Sequence, residues 1–255
     1  MNKLIDYPFI VFALSLFVLW LSARSTSFFL KRPRNLEEGV REDFSLILAA
    51  TLTLLGLIIG FSFSMAISRY EQRKNYEEAE ANAIGTEYAR AGLLPAADAA
   101  GVRALLRNYL DERILFYKTR DKQQLRQISA NTAQLQSELW DAIQAPAAAQ
   151  PTPLVALVIS GMNDVLNSQG YTQAAWWNRI PLAAWGLMTV IAICCNLLVG
   201  YGARRPEAEG ILMLVLPIVV SISFFLIADI DSPRGGVILV QPQNLVSLAQ
   251  SLRTH

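Results

Sequence analysis

The amino-acid sequence predicts an all-α integral membrane protein with four transmembrane helices and a helical extramembrane block between spans 2 and 3. Of its 255 residues, 53% are hydrophobic and only 17% are charged, whereas soluble domains carry about 25% charged residues. Four long apolar runs and one long polar segment make up most of the chain. No stretch shows the alternation of apolar and polar residues that is typical of strands.

The first part of the chain predicts a transmembrane hairpin over residues 1–67. Its first span covers residues 8–23 and is followed by a polar connector. Its second span covers residues 44–67, and these 24 residues carry no charge. They are enough to cross a hydrocarbon core of about 30 Å as a helix. Because Arg69 and Arg73 follow without a break signal, we expect this helix to continue into water.

Residues 68–179 predict the helical extramembrane block. The first helix is expected to end at Gly92-Leu93-Leu94-Pro95, because proline suits the first turn of the helix that follows. Two stretches with apolar residues at helical spacing come next. The sequence APAAAQPTP at residues 145–153 predicts a linker, because it is rich in proline. A further amphipathic helix is expected from Leu154, with a break at Gly170.

Residues 180–228 predict a second transmembrane hairpin with spans at 180–202 and 210–228. Trp176 and Trp177 precede it and are expected to lie in an interfacial aromatic belt. Residues 229–255 are expected to form a tail that packs near the membrane surface. The tail begins with DIDSPRGG, which is typical of a helix stop followed by a turn. The alternative is a structured clasp at the membrane surface that holds the block against the spans.

The sequence gives no sign of an enzyme. It has no cluster of metal ligands at a suitable spacing, no nucleophile elbow and no glycine-rich phosphate loop after a strand. We therefore expect no catalytic residue, no metal and no cofactor. A net charge of +1 gives no reason to expect nucleic acid as a partner. None of the four spans contains Asp, Glu, Lys, Arg or His, which disfavours an ion-coupled transporter.

The second span carries two rows of residues on adjacent faces. The small-residue row, which lets another helix approach closely, consists of Gly56, Gly60 and Ser64. The second row consists of Thr53, Leu57 and Phe61. Ordinary contact with helices or lipid is one interpretation of this second row. The other is a hydrophobic constriction that lines a pore, with Ser64 continuing it.

Short motifs on both sides of the block resemble those of the bestrophin-like family of bacterial membrane proteins. They are GFSFS at 60–64, SRYEQR at 68–73, EANAIGTEY at 80–88, LLP at 93–95 and DIDSPRG at 229–235. Their order and spacing are more specific than any one of them. The residues that represent the motifs are Arg69, Tyr70, Arg73, Glu80, Asn82, Gly85, Asp229, Asp231, Pro233 and Gly235.

A looser resemblance reaches the bestrophin anion channels, in which five subunits of four spans each surround a central pore. It implies a homo-oligomer, possibly a pentamer, that sits among membrane lipids and passes small anions such as chloride. The neck residues of those channels correspond to Phe61, Leu57 and Thr53, where Thr53 departs from the apolar side chain that the family shows. The dense acidic cluster of the calcium-gated members is absent, which argues against calcium gating.

Two other functions stay open. One is a membrane-anchored interaction or signalling scaffold that acts through the block, where Tyr109, Phe116 and Tyr117 could supply an exposed aromatic patch. The other is a small-solute transporter. A channel needs a polar row that continues beyond the constriction, and Ser64 and Ser68 are the candidates for it.

The sequence gives two opposing indications of how the protein is oriented in the membrane. The connectors between spans carry seven Lys/Arg, namely Arg24, Lys31, Arg32, Arg34, Arg41, Arg204 and Arg205. The other side carries six near the membrane, namely Lys3, Arg69, Arg73, Lys74, Arg179 and Arg234. This difference favours cytoplasmic connectors, whereas the layout of the bestrophins implies a cytoplasmic block. We expect a multi-pass protein of the bacterial inner membrane with its block and both termini in the cytoplasm.

Overall fold

The computed structural model describes residues 5–29, 38–149, 151–202 and 211–253. These residues form eight α-helices and one 3₁₀ turn, without any strand among them. The helices are α1 (Pro8–Phe29), α2 (Glu38–Arg90), α3 (Ala96–Lys118), α4 (Lys122–Ala149), α5 (Pro153–Trp177), α6 (Leu182–Gly202), α7 (Leu212–Asp231) and α8 (Gln243–Arg253). The predicted all-α fold is confirmed.

Four stretches of the described chain are helical, long and apolar enough to cross a membrane. They lie within Pro8–Ser25, Glu42–Leu93, Pro153–Gly202 and Met213–Asp231. The second belongs to α2, which runs without interruption from Glu38 to Arg90. The prediction that the second span continues into a charged helix is therefore confirmed. That helix ends in the 3₁₀ turn Ala91–Leu93, and α3 begins directly after Pro95, as the Gly-Leu-Leu-Pro sequence predicts.

The chain divides into two compact units. The membrane unit consists of Met1–Arg69 and Arg179–Leu239, and the block unit consists of Tyr70–Asn178 and Val240–His255. Helix α2 therefore contributes its first part to one unit and its second part to the other. The tail divides in the same way, so that the residues before Val240 belong with the spans and α8 belongs with the block helices.

In the membrane unit, α1 packs against both α6 and α7. Phe9 of α1 and Phe225 of α7 contact each other with ring centroids 5.2 Å apart. Gly200 of α6 lies directly against the backbone of Ala23, where a β-carbon would collide with the Ala23 carbonyl. Because this contact has no room for a side chain, glycine is what allows the two helices to approach so closely.

In the block unit, one hydrophobic core joins the second part of α2 to α3, α4, α5 and α8. Trp176 belongs to this core, with its ring 5.0 Å from Phe116 and 5.5 Å from Tyr117. The prediction that Trp176 lies in an interfacial belt is therefore wrong, because the indole is buried between aromatic rings. Its neighbour Trp177 is 68% exposed.

Two predicted breaks in the block are absent. Helix α4 runs through Pro146 to Ala149, because the surrounding alanines are strong helix formers. The linker predicted at 145–153 is thus shorter, and α5 begins at Pro153 with Thr152 accepting a hydrogen bond from the Val155 amide (3.3 Å). Gly170 lies inside α5, since a single glycine lowers helix stability without ending a helix.

Several predictions concern residues outside the described ranges. They include the first residues of the chain with Lys3, the last two residues of the tail, and Gly210 at the start of the fourth span. They also include most of the basic connector, with Lys31, Arg32 and Arg34, and the pair Arg204 and Arg205. The count of positive charges on the two sides of the membrane therefore stays a sequence argument.

Candidate functional site

The membrane part of α2 has a buried face and an exposed face on opposite sides of the helix. Leu55, Ser62 and Ala66 are at most 2% exposed. On the other side, Leu57 is 54% exposed and Phe61 is 68% exposed. Thr53 and Ser64 are exposed as well. All four pore candidates therefore lie on one face, which the described residues of the same chain leave uncovered.

The chemistry of this exposed face changes along the helix. Leu57 and Phe61 present large apolar side chains, whereas Ser64 and Ser68 continue the face with hydroxyl groups. The Thr53 hydroxyl donates to the Ala49 carbonyl (2.8 Å). The hydroxyl hydrogen of Thr53 is therefore hydrogen-bonded within the helix. The face consists of two large apolar residues with hydroxyl-bearing residues on either side of them.

The two glycines of the small-residue row of α2 have no neighbour from other parts of the described chain. A β-carbon placed on Gly56 or Gly60 would meet no heavy atom of another part of the described chain within 4 Å. Gly200 is the opposite case, a glycine with another helix packed directly against it, because a β-carbon there would collide with α1. Sequence reasoning singled out the α2 glycines and missed Gly200. That Gly56, Gly60 and Ser64 serve in helix packing stays a prediction.

The segment after α7 is a structured loop. The Asp229 carboxylate accepts hydrogen bonds from the amides of Val237 (2.7 Å) and Ile238 (2.8 Å). The Ser232 hydroxyl accepts one from the Gly235 amide (3.0 Å). A β-carbon on Gly236 would lie only 2.6 Å from the Asp229 carboxylate. The loop therefore folds back on the end of α7, which goes beyond a simple helix stop.

Asp231 joins this loop to three other parts of the membrane unit. It is 1% exposed and pairs with Arg179 (Nε to Oδ2, 2.9 Å) and with Arg69 (Nη1 to Oδ1, 3.8 Å). Arg179 also pairs with Asp6, just before α1 (Nη1 to Oδ1, 2.8 Å). We call Asp6, Arg69, Arg179 and Asp231 the clasp. It ties the starts of α1 and α6 to the ends of α7 and of the membrane part of α2.

Gly235 completes the clasp, because a β-carbon there would collide with the backbone carbonyl of Asp6. The sequence prediction of a structured clasp named Asp229, Asp231 and Gly235 but missed Asp6 and the role of Arg179. The clasp described here lies entirely within the membrane unit. That it also holds the block against the spans stays a prediction.

In the block unit, α2 buries a stripe of charged side chains. Arg73, Glu77, Glu80 and Glu87 are each at most 1% exposed. Their spacing alternates between steps of four and three residues when Ile84 is included, which places them on one helix face. Buried charges need partners. Arg73 has one in the Ala175 carbonyl, to which its Nε donates (3.4 Å).

Glu80 has the largest set of partners. It forms an ion pair with Arg113 of α3 and accepts hydrogen bonds from Tyr117 (3.3 Å) and Thr172 (3.2 Å). Burial lowers the pKa of Arg113, but the Glu80 carboxylate together with Tyr109 and Tyr117 outweighs burial and raises that pKa above its usual value. Burial, and then the same carboxylate, raises the pKa of Tyr117 far above its usual range. Arg113 therefore stays protonated and Tyr117 stays neutral near neutral pH.

Glu77 binds the start of α8. Its two carboxylate oxygens accept hydrogen bonds from the Leu245 amide (3.0 Å) and the Asn244 side chain (2.6 Å). A carboxylate at a helix N-terminus also interacts favourably with the helix dipole. One turn further along α2, Asn82 lines a shallow groove against α8. Gly85 lies in the same groove, where a β-carbon would come within 3.1 Å of Leu248.

A comparison with known protein families identifies the family to which the chain belongs. A family model, described as Bestrophin-like domain, matches residues 10–245. The chain belongs to the bestrophin-like family. No curated protein matches it at the sequence level.

Solved structures with a similar fold are bacterial relatives of low sequence identity. A bacterial bestrophin homolog from Klebsiella pneumoniae is 15% identical, with 96% of this chain and 97% of that chain covered and a TM-score of 0.64. A single-residue variant of a bestrophin homolog from the same organism is 14% identical, with 99% and 98% covered and a TM-score of 0.63. The fold of the bestrophin-like chain is thus that of complete bestrophin homologs.

The bestrophin-like motifs fall into three groups in the structure. Arg69 and Asp231 meet in the clasp, Asp229 lies in the last turn of α7, and Pro233 and Gly235 lie in the loop that follows. Arg73 and Glu80 belong to the buried stripe, and Tyr70 packs against the block core. Asn82 and Gly85 lie at the α8 groove. The motifs contain neither Arg113 nor Thr172, the partners of Glu80, since neither position has a local sequence signal.

Proposed function

We propose that the protein is the subunit of a homo-oligomeric ion channel in a bacterial inner membrane, with the exposed face of α2 lining its pore. The observation that carries this proposal is the position of Thr53, Leu57, Phe61 and Ser64. They lie on one face of α2, opposite the residues that pack inside the chain. Large apolar side chains around a narrow axis gate a pore by excluding water. Leu57 and Phe61 would supply two such rings.

Two further features support assembly around that face. Gly56 and Gly60 offer a neighbouring copy an unobstructed surface on the same helix. Ser64 and Ser68 provide the polar continuation that a conducting pathway requires beyond its constriction. The resemblance to bestrophin anion channels makes small anions such as chloride the first permeant species to test. It also supports a cytoplasmic location for the block and both termini, and a pentameric assembly.

The scaffold alternative requires an exposed aromatic patch on the block, and the three candidate residues do not form one. Tyr109, Phe116 and Tyr117, which were expected to form an exposed aromatic patch, are at most 6% exposed. They lie in the block core because their rings pack against α2 and Trp176. No observation on the described residues favours a transporter over a channel.

The test is conduction by the purified full-length protein in planar bilayers under a chloride gradient. We expect a reversal potential close to that of chloride. Phe61→Ala should raise the conductance several-fold, and Leu57→Ala should raise it less, because each removes a ring from the constriction. The matched controls are Phe17→Ala on α1 and Leu187→Ala on α6, whose side chains are 57% and 52% exposed. These controls should leave the conductance unchanged.

Each outcome bears on a different part of the proposal. Absence of any current would overturn the channel. A reversal potential close to that of the cation would keep the channel and overturn its preference for anions. A current that changes as much with Leu187→Ala as with Leu57→Ala would overturn the assignment of the α2 face as the pore lining.

A further inference from the structure

Glu87 differs from every other buried carboxylate of the α2 stripe. It is 0% exposed, and neither of its carboxylate oxygens has a hydrogen-bond partner among the described residues. Glu77 and Glu80, on the same face of the same helix, each have partners on both oxygens. An ionised carboxylate without a partner is strongly disfavoured in a protein interior, so such a group keeps its proton instead.

The helix that faces Glu87 leaves space for its carboxyl group. Gly161 of α5 faces it, and a β-carbon at that position would collide with Glu87 Oε2 and lie 2.6 Å from Arg90 Nη1. Any other residue at position 161 would therefore displace the carboxyl group or the guanidinium. The absence of a side chain at this one place in α5 leaves room for the Glu87 side chain between the two helices.

Two charged groups face Glu87. Arg90 lies one turn further along α2 and spans to α5, where its Nη1 donates to the Leu157 carbonyl (3.4 Å). Asp164 lies one turn beyond Gly161 on α5. Arg90 favours the ionised form of Glu87, whereas Asp164 disfavours it. Burial is the strongest influence and opposes ionisation, and together these raise the pKa of Glu87 from 4.5 to about 8.

We propose that Glu87 is a proton-binding site in the block unit, and that loss of its proton weakens the contact between α2 and α5. The bound proton keeps the carboxyl neutral where the interior offers it no partner. Its release would place a negative charge between the helices, next to the carboxylate of Asp164. The block would then loosen at this contact, through Arg90 and Gly161, when the surrounding pH rises. This device would operate whether or not α2 lines a pore.

The sign of the stability effect follows from proton linkage. A carboxyl group whose pKa is higher in the folded state than in the unfolded state stabilises the fold fully at low pH. That contribution falls as the pH rises above the unfolded value and is lost above the folded one. For Glu87, stability should therefore decrease between pH 4.5 and about pH 8.

The experiment compares full-length wild-type protein with Glu87→Gln, whose amide has the shape of the protonated carboxyl and cannot ionise. Between about pH 6 and about pH 9, the wild-type Tm should fall by several degrees more than the Tm of Glu87→Gln. The matched control is Glu78→Gln, on the exposed side of the same helix, which should keep the wild-type dependence. Equal slopes for wild type and Glu87→Gln would overturn the proposal.

A second measurement uses the wild-type protein alone, so that the test does not depend on the variant folding. Infrared spectroscopy detects the carbonyl band of a protonated carboxylic acid. We expect this band near pH 6 and its disappearance towards pH 9, together with faster hydrogen exchange around Gly161 than the intrinsic effect of pH explains. A wild-type spectrum with no such band near pH 6 would overturn the proposal directly.

Discussion

In its membrane part, α2 turns Leu55, Ser62 and Ala66 inward, whereas in the block unit the same helix turns Arg73, Glu77 and Glu80 inward. The first group is small or apolar, and it leaves large apolar side chains such as Phe61 facing outward. The second group is charged, and each member meets a partner inside the block. One helix thus follows two opposite patterns of burial along its length.

The difference shows where each part of the helix finds its partners. Apart from Glu87, the charged stripe of the block has its partners within the single chain, among them Arg113, Thr172 and the start of α8. Among the described residues, the outward face of the membrane part has no such match, neither for its glycines nor for its large apolar residues. Substitutions in the block should therefore affect the folding of one chain, and those on the membrane face should affect assembly or conduction.

The largest effect should come from breaking the buried ion pair. Arg113→Met leaves the Glu80 carboxylate buried without its cation, and we expect a loss of about 3–5 kcal/mol in the free energy of unfolding. Thermal unfolding of the purified protein measures it. Arg107→Met, at an exposed position on the same helix, should cost less than about 1 kcal/mol.

A double variant tests whether the loss comes from the uncompensated charge or from the shape of the side chains at these two positions. If the loss arises from an uncompensated charge, the double variant Glu80→Met/Arg113→Met should be more stable than Arg113→Met alone. A double variant less stable than the single one would show that shape, rather than charge, decides the packing at this point of the stripe.

A smaller effect is expected where a glycine of the membrane unit already has a neighbour. Gly200→Ala places a methyl group against the Ala23 carbonyl and should cost about 1–3 kcal/mol through the forced separation of α1 and α6. Gly186→Ala is the control, because a β-carbon there meets nothing within 4 Å. The two variants are compared by thermal unfolding in the same detergent, and equal stabilities would refute the close contact.

The smallest effect on the single chain, yet a clear one on assembly, is expected for Gly60→Leu. Nothing in the described chain lies within 4 Å of a β-carbon at this position, so the stability of the monomer should change little. If neighbouring copies pack against the small-residue row, the oligomer should dissociate more readily. Native gel electrophoresis and mass photometry report this, and an unchanged oligomer would show that the copies meet elsewhere.

The sequence was sufficient for the fold class because membrane spans and helical stops leave local signals. Phe44 to Ile67 reads as a span from its composition alone, and Pro95 marks the start of α3. The prediction of a linker at 145–153 was wrong for a local reason. Proline disfavours a helix and alanine favours one, and here the alanines prevailed. Trp176 was misplaced because an aromatic residue beside a span suits a membrane interface and a block core equally well.

The sites were only partly predictable. The motif residues Arg69 and Asp231 were found, and they meet in the clasp. Asp6 and Arg179 were missed as their partners, because contacts between residues far apart in the chain leave no local pattern. Glu87 was overlooked for a different reason. It reads as one more charged residue on a polar helix until the structure shows that its carboxyl group is buried without a hydrogen-bond partner among the described residues.

The clasp has a consequence for how the chain is made. Asp6 precedes the first span, whereas its partner Arg179 and the loop glycine Gly235 follow α3, α4 and α5 of the block. Helix α1 packs against α6 and α7, so its neighbours come from parts of the chain that are synthesised much later. Helix α1 therefore lacks these two neighbours until α6 and α7 have been synthesised. Completion of the loop at Gly235 then marks the moment when the membrane unit can close.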